Sequence, residues 1–413
     1  MSFFYNIFVS LFIFGMRIFS IFNDKAKKAW EGRKQSLNKV RSAFSASDKV
    51  IWMHAASLGE YEQGLPVLEQ LKEQFPSYKI LVTFFSPSGY ENIVRKEHIA
   101  DVICYLPFDK KDKIRDFVAQ FDTRLFFTVK YDYWYNLLSE LKSRKVKTYV
   151  ISALFYEGQV FFKSYGKWFV QQLQNNIDWF FHQTELSYAL ARERGLMKSS
   201  VTGDTRFDRV KQLRNRNNHV DFIKDFIGNK KCVVFGSSWQ AEERMAEMVF
   251  EGDKDIKMII APHDLKRVQN LKENFPDALL YSRIDEQQAK ATRSQVLIID
   301  SIGLLSRLYA YADVAVVGGG FHDAGLHNIL EAATFGVPVI FGNHYRKNPE
   351  ADDLIAANGG RTFENEGMAA DFTIFLINDD ETLKDMSRKA KQFVDEKPDS
   401  TNKIVKKILE DLN

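Results

Sequence analysis

The chain has 413 residues, 45% of them apolar and 27% charged, with Lys+Arg 57 against Asp+Glu 54 and a net charge of +3. That composition is globular and excludes disorder, collagen and coiled coil as the main state; so small a net charge gives no polyanion-binding character, and no nucleic-acid partner is expected. Two cysteines, Cys104 and Cys232, both inside apolar runs, exclude a disulfide framework or a Cys-rich zinc site and fit buried thiols in a reducing compartment.

Residues 3–22 read FFYNIFVSLFIFGMRIFSIF, long enough to cross a bilayer, which takes about 20 residues. No basic region precedes this run and no small-residue cleavage site follows it, unlike a secretory signal. Taken at about 100° per residue, Asn6, Ser10, Arg17 and Ser20, with Asp24, share a wedge of roughly 80°. A wide apolar face with one narrow polar stripe suits a helix lying in the interface or against the protein's own surface. Arg17 at mid-depth argues against a simple lipid-exposed span. Lys25, Lys27, Lys28, Arg33, Lys34, Lys39 and Arg41 follow, a basic collar suited to an anionic cytoplasmic leaflet. Residues 1–35 are read as a membrane-associated helix and collar, with a helix buried in the core or in a dimer as the other reading. Spanning and in-plane insertion both stay open.

From residue 49 short apolar runs alternate with helical segments. KVIWMHAAS, KILVTFFS, DVICYLPF, RLFFTVK, KTYVISALF and DWFFHQT are strand candidates, the βαβ pattern of a parallel sheet covered on both faces. QLRNRNNHVDFIKDFIGNKK, residues 212–231, holds no strand candidate and is read as a linker with a short helix. A second series follows: CVVFGSS, IKMIIAPHD, ALLYSRI, VLIIDS, DVAVVGGG and VPVIFG. The expected organisation is α/β, with residues 36–211 as one doubly wound domain and 232–413 as a second that ends in helices. Ligands of open parallel sheets bind at the carboxyl ends of the strands, and two such domains facing a central cleft would place a site there.

Four constellations follow strands. In HAASLGEYEQG the small residues Ala55, Ala56, Ser57 and Gly59 allow a tight turn and close approach of a ligand. Glu60 then falls near a helix N-terminus. It suits either a helix-capping carboxylate or a general base, which the helix end would keep ionised. VKYDYW brings Lys130 and Asp132 out of an apolar run, as a solvated loop or as site residues. VTGDTRFDRV carries Arg206, whose fork suits a phosphate or a carboxylate and equally a surface salt bridge. DVAVVGGGFHDAGLHNILEAATFGVPVIFG sets Gly318, Gly319 and Gly320 after a buried strand. A helix is expected to start near His327 and Asn328 with Glu331 one turn in. Glycines before a helix start expose N–H groups suited to phosphate, and Glu331 could accept from a ribose. The absence of GxxxxGK[ST] and of HExxH argues against a P-loop NTPase and a zinc hydrolase.

The ordered set HAASLGE, SPSGYE with LPFD, WYNLL, VTGDTRFD, GSS, IIAPHD, DSIGLLSRLYAYADVAVVGGG and GLHNILEAATFGVPVIFG resembles the 3-deoxy-D-manno-octulosonate (Kdo) transferases of lipopolysaccharide synthesis over nearly the whole chain. The resemblance implies a GT-B architecture of two Rossmann-like domains. It implies an inverting, metal-independent transfer of Kdo from CMP-Kdo to a lipid A precursor at the cytoplasmic face of the cell inner membrane, with no cofactor. Carried over by position, Glu60 becomes the general base, and Arg206 the family's basic residue near the leaving phosphate or the Kdo carboxylate. The nucleotide contacts fall on Pro262 and His263, on Ile302, Gly303 and Leu304, and on Asn328, Ile329, Leu330 and Glu331; Ser57 and Gly59 fall on the acceptor side. Three positions depart from the family pattern. Lys130 stands where a carboxylate is common, with Asp132 two residues on at a second acidic position. Pro262-His263-Asp264 replaces Pro-Arg-His, and Leu304 replaces an acidic residue. The competing readings are another nucleotide-sugar enzyme of the same architecture and a membrane-tethered nucleotide-sugar or lipid binding module that has lost catalysis.

Overall fold

A computed structural model describes residues 1–412 apart from 164–165, 285–292, 324 and 347. The residues divide into two compact units, Met1–Arg209 with Pro398–Asn413, and Val210–Lys397.

The first unit is built on β1 (Lys49–Ala55), β2 (Lys79–Phe84), β3 (Val102–Tyr105), β4 (Asp122–Val129), β5 (Lys147–Ala153), β6 (Trp179–His182) and β7 (Ser199–Val201). These form one sheet in the order β3-β2-β1-β4-β5-β6-β7, parallel throughout. Alternate residues feed two cores. Val50, Trp52 and Phe126 lie in one, and Ile51, Met53 and Phe127 in the other. Burial on both faces is why these strands read as continuous apolar runs. The expected strands are present; β7 was not expected, because a polar three-residue edge strand carries no hydrophobic signal.

The second unit repeats the plan with β8 (Cys232–Ser238), β9 (Lys257–Pro262), β10 (Leu279–Leu280), β11 (Val296–Ile298), β12 (Val314–Val317), β13 (Val339–Gly342) and β14 (Gly360–Phe363). Its order is β10-β11-β9-β8-β12-β13-β14, again parallel. Strand β14, Gly-Arg-Thr-Phe, is a second edge the sequence pattern did not mark.

The chain's end departs from the expectation that residues 232–413 form one domain. The last helix, Ser400–Leu412, sets Ile404, Val405 and Ile408 into the first unit's core beside Leu68 and Leu71. Asp208 holds its start, accepting from Thr401 N at 2.7 Å and Thr401 Oγ1 at 2.8 Å. The apolar stripe of this charged helix finds its partner on the helix Leu58–Gln74. Residues 212–231 hold the end of a helix, Thr205–Asn215, and a short one, Ile223–Ile227.

The N-terminal helix, Ser2–Phe22, is long and apolar enough to cross a membrane, and little of it is buried. Val9 and Ser20 are buried, and Phe12 stacks on Phe85. Tyr5 packs on Tyr135, Trp168 and Phe169. One face is therefore docked along the first unit, while Phe3, Phe4, Ile7, Phe8, Leu11, Phe14, Ile18, Phe19, Ile21 and Phe22 are exposed. Of the expected polar stripe, Asn6 and Ser20 join the docked face, and Ser10 and Arg17 stay exposed. The collar is also split. Arg33 turns inward, 7% exposed, donating to the carbonyls of Ala29 and Phe85 and lying over the rings of Phe85, Phe108 and Tyr105.

Candidate active site

In the first unit the chemistry collects at the carboxyl ends of β1, β2 and β4. Strand β1 ends in His54 and Ala55; Ser57 is the N-cap of the helix Leu58–Gln74, and Glu60 lies in its first turn. Gly64 lets that helix lie close to β1 and β4, since a Cβ there would meet Met53 Sδ, with Val129 Cγ2 at 3.3 Å. Glu60 is 8% exposed, and its Oε2 accepts from Ala56 N at 2.5 Å. No hydrogen-bond partner for Oε1 is found among the described residues. Gly59, one position earlier, has open space where a side chain would stand.

Asp132 comes from the loop after β4. Its Oδ2 lies 2.6 Å from His54 Nε2, and His54 Nδ1 lies 2.9 Å from Thr83 Oγ1 on β2. The register brings them together, since His54 pairs with Thr83 on one side and Thr128 on the other. Burial pushes the Glu60 carboxyl above the usual range and the charge of Asp132 adds to this, against the Ala56 amide, Lys130 and His54. The expectation that the helix end would lower it is thus corrected: burial and Asp132 outweigh the Ala56 amide and the nearby Lys130 and His54. A base with a raised pKa holds a proton more firmly once it takes one. Lys130 sits in the left-handed region, φ 62°, and its carbonyl accepts from Tyr133 OH at 2.9 Å.

Arg206 opens the helix Thr205–Asn215. Its guanidinium is held by Asp204, with Nε to Oδ2 at 2.8 Å and an ion pair at 2.7 Å. Gln63 Nε2 donates to the same carboxylate at 2.9 Å, and Thr205 Oγ1 donates to Gln63 O at 2.7 Å. Gln63 lies three residues after Glu60 on one helix, so the fold brings Arg206 within two contacts of the Glu60 turn. Burial drives Asp204 upward, but Arg206 more than offsets it and holds the carboxyl below its usual range. The salt-bridge reading of Arg206 is therefore realised, with its partner in the same motif.

The second unit gathers its residues at the carboxyl ends of β8, β9, β11 and β12. The backbone N–H of His263 donates to Ser238 O at 3.0 Å, and Pro262 ends β9. Ile302, Gly303 and Leu304 follow β11, with Ile302 78% exposed and Gly303 at φ +99° with open space beside its Cα. After β12 the three glycines pack backbone on backbone: a Cβ on Gly318 would meet Ser237 O, and one on Gly320 would meet Gly342 N at 2.6 Å. The helix expected from His327 is only Leu330–Ala333, because Asn328 turns the chain first, its Oδ1 accepting from Leu330 N at 3.1 Å. Its Nδ2 donates to Glu331 Oε1 at 3.1 Å. Ile329 and Leu330 are fully buried, so their side chains serve packing and only their backbone can serve a ligand.

Several residues here escaped the sequence reading. Glu242, fully buried, accepts from Trp239 N at 2.9 Å and from Gly319 N at 2.9 Å. Trp239 stacks on His263 at 4.4 Å and meets His322 edge-on at 4.8 Å; His263 and His327 lie 4.7 Å apart. Burial lowers His327 to about 4, with His263 and His322 adding to the effect, so it is neutral at pH 7. The signal for Glu242 was available: GSSWQAE repeats the strand, cap and third-position Glu of HAASLGE.

Residues 28–209 match the family model described as 3-Deoxy-D-manno-octulosonic-acid transferase (kdotransferase). The 3-deoxy-D-manno-octulosonic acid transferase of Chlamydophila psittaci is 26% identical over 339 residues, 80% of this chain and 78% of that protein. Over these residues the chain is similar to the Kdo transferases. A bifunctional glycosyltransferase/methyltransferase of Fusobacterium nucleatum is 28% identical over 314 residues, 72% of this chain but only 48% of that protein, so the match spans about half of that relative's length. The UDP-GlcNAc 2-epimerase of Neisseria meningitidis, solved with UDP-GlcNAc, covers 88% of this chain and 100% of its own at a TM-score of 0.59 and 15% identity. That likeness shows the fold, the GT-B pair of Rossmann-like domains. Against the family pattern, Lys130 stands two residues before the Asp132 that holds His54. His263 lies under Trp239. Leu304 is the N-cap residue of the helix Leu305–Leu308.

Proposed function

We propose that this protein is an inverting Kdo transferase, moving Kdo from CMP-Kdo to a lipid A precursor at the cytoplasmic face of the inner membrane, with Glu60 as general base. The observation that carries the reading is the Glu60 turn: a buried carboxylate at a strand end, one oxygen fixed by the Ala56 amide and the other without a hydrogen-bond partner among the described residues. An acceptor hydroxyl gives its proton to that oxygen while its own oxygen attacks the anomeric carbon of Kdo. The bond from that carbon to the CMP phosphate breaks, and CMP leaves with the electron pair. One displacement inverts the configuration. Asp132 raises the proton affinity of Glu60 and His54 moderates it, and Arg206, braced by Asp204, faces charge growing on the phosphate or carries the Kdo carboxylate. The first unit takes the acceptor, with Ser57 and Gly59 on its side. The second takes CMP-Kdo through Pro262, His263, the 302–304 loop and the Asn328–Glu331 turn. Its bare glycine backbone suits a phosphate.

The docked N-terminal helix supports in-plane attachment: one face lies on the protein and a continuous row of Phe, Ile and Leu faces outward, as an interfacial helix requires. Lys25, Lys27, Lys28 and Lys34 beside it would meet anionic lipid headgroups.

The test is purified full-length protein in detergent with a CMP-Kdo-generating system and a lipid A precursor, followed by mass spectrometry of the lipid. A gain of Kdo that disappears in a folded Glu60→Ala supports the reading. A gain that survives Glu60→Ala removes the base assignment. No gain from folded wild type that still binds a CMP-sugar points to the binding module instead.

A further inference from the structure

Two of the motifs, LPFD and WYNLL, have no part in the site as described, yet they meet in the structure. Asp109, the last residue of LPFD, is 2% exposed. Its Oδ1 accepts from Leu137 N at 2.9 Å. Its Oδ2 accepts from Asn136 N at 2.9 Å and from Tyr5 OH at 2.6 Å. Asn136 Nδ2 donates to Asn6 Oδ1 at 2.9 Å, and Tyr135 N donates to Tyr5 OH at 3.2 Å. A buried carboxylate thus satisfies the first-turn N–H groups of the helix Tyr135–Ser143, groups that have no partner inside the helix. It takes its third donor from the N-terminal helix.

The helix Tyr135–Ser143 begins directly after the loop that carries Lys130 and Asp132. At its other end that loop is tied to the sheet, with Lys130 N donating to Ile151 O at 3.0 Å. Trp134, the helix N-cap, stacks on Phe85 at 5.3 Å, and Phe85 stacks on Phe12 of the N-terminal helix. So both the polar and the aromatic contacts that fix the loop's far end run to the N-terminal helix. We propose that Asp109 is a positioning residue: with Tyr5 and Asn136 it clasps the N-terminal helix to the first turn of Tyr135–Ser143, and the docked helix thereby holds the Lys130–Asp132 loop against His54 and beside Glu60. This rests on the assignment of the Glu60 turn as the site of transfer. It makes the N-terminal helix a part of the active site's framework as well as an attachment to lipid.

The experiment compares wild type, Tyr5→Phe and Asp109→Asn as full-length proteins in vesicles of phosphatidylethanolamine and phosphatidylglycerol containing the lipid A precursor. It reads kcat, KM for each substrate, vesicle co-sedimentation, and hydrogen exchange of residues 130–138. Misplacing a reacting group by about 1 Å can cost roughly 100-fold, so kcat should fall at least about tenfold in both variants. KM and co-sedimentation should hold, and exchange across 130–138 should quicken. Tyr5→Phe removes one hydroxyl and keeps the ring, so it decides the matter should Asp109→Asn fail to fold. Lost co-sedimentation and raised acceptor KM with kcat intact would reduce the clasp to an anchor and overturn the proposal. Unchanged exchange across 130–138 in Tyr5→Phe overturns it too. Should wild type transfer no Kdo, the assignment of the reaction falls, while the exchange measurement still decides whether the clasp orders the loop.

Discussion

Glu60 and Glu242 occupy the same place in two copies of one plan. Each stands in the first turn of the helix that follows the first strand of its sheet, and each is buried. Burial raises the pKa of both. The difference lies in their oxygens. Glu242 has both occupied, by the amides of Trp239 and Gly319, and so joins β8 to the glycine turn after β12. Glu60 has one held by Ala56 and the other without a hydrogen-bond partner among the described residues. A carboxylate with both oxygens engaged is a bracket, and one with an oxygen to offer is a candidate base. The neighbours follow the same division. Around Glu60 stand Asp132, His54 and Lys130; around Glu242 stand glycines, an indole and imidazoles. Burial and position alone do not mark a catalytic group: its remaining hydrogen-bond capacity does.

The comparison breaks most visibly in a pair of Gln variants. Glu60→Gln should lower kcat by about 10²- to 10⁴-fold and leave CMP binding intact, read by transfer assay and calorimetry. It should not lower stability at neutral pH. The folded state favours protonated Glu60, so wild type gains stability relative to Glu60→Gln as pH falls through the raised pKa and loses it as pH rises. Glu242→Gln does the reverse. One amide, of Trp239 or Gly319, would face an NH₂ group, costing about 1–3 kcal/mol in chemical denaturation and weakening CMP.

Asp132→Asn sharpens the electrostatic half. With Glu60 as the proposed base, activity should require its ionised form and decline as pH falls through its pKa. Asp132 is one cause of that pKa being high. Removing its charge should move the acid limb of the kcat/KM profile to lower pH, and an unmoved limb would separate Glu60 from Asp132. The smallest effect is expected from Trp239→Leu. Losing the stack on His263 should weaken CMP by a few-fold to about tenfold, since aromatic pairs contribute about 0.5–1.5 kcal/mol beyond their buried area, with kcat at saturating donor retained.

Much of this was legible in the sequence because buried parallel strands announce themselves as unbroken apolar runs, as in CVVFGSS or DVAVVGGG. The two edge strands, β7 and β14, were not, being short and polar. The Glu60 turn was legible from its small residues and position, but the sign of its pKa shift was not, since desolvation depends on packing from distant segments. The Arg206–Asp204 pair sits inside one motif and the sequence left it open. The contacts of His54 with Asp132 and of Asp109 with Tyr5 join residues 78 and 104 positions apart, and no local pattern encodes them. The short helix at Leu330 differs from the longer one expected because Asn328 turns the chain ahead of it, its Oδ1 accepting from Leu330 N.

The return of Ser400–Leu412 to the first unit bears on how the protein is made. Translation is vectorial, and residues 210–397 must all be synthesised between the two parts of that unit. At roughly 5–20 residues per second the delay is on the order of 10 to 40 s. During that interval the outer flank of the helix bearing Glu60, including Leu68 and Leu71, lacks the nonpolar cover that Ile404, Val405 and Ile408 later supply. The nascent first unit therefore keeps that apolar flank uncovered until the chain is nearly complete, while the second unit is contiguous in sequence.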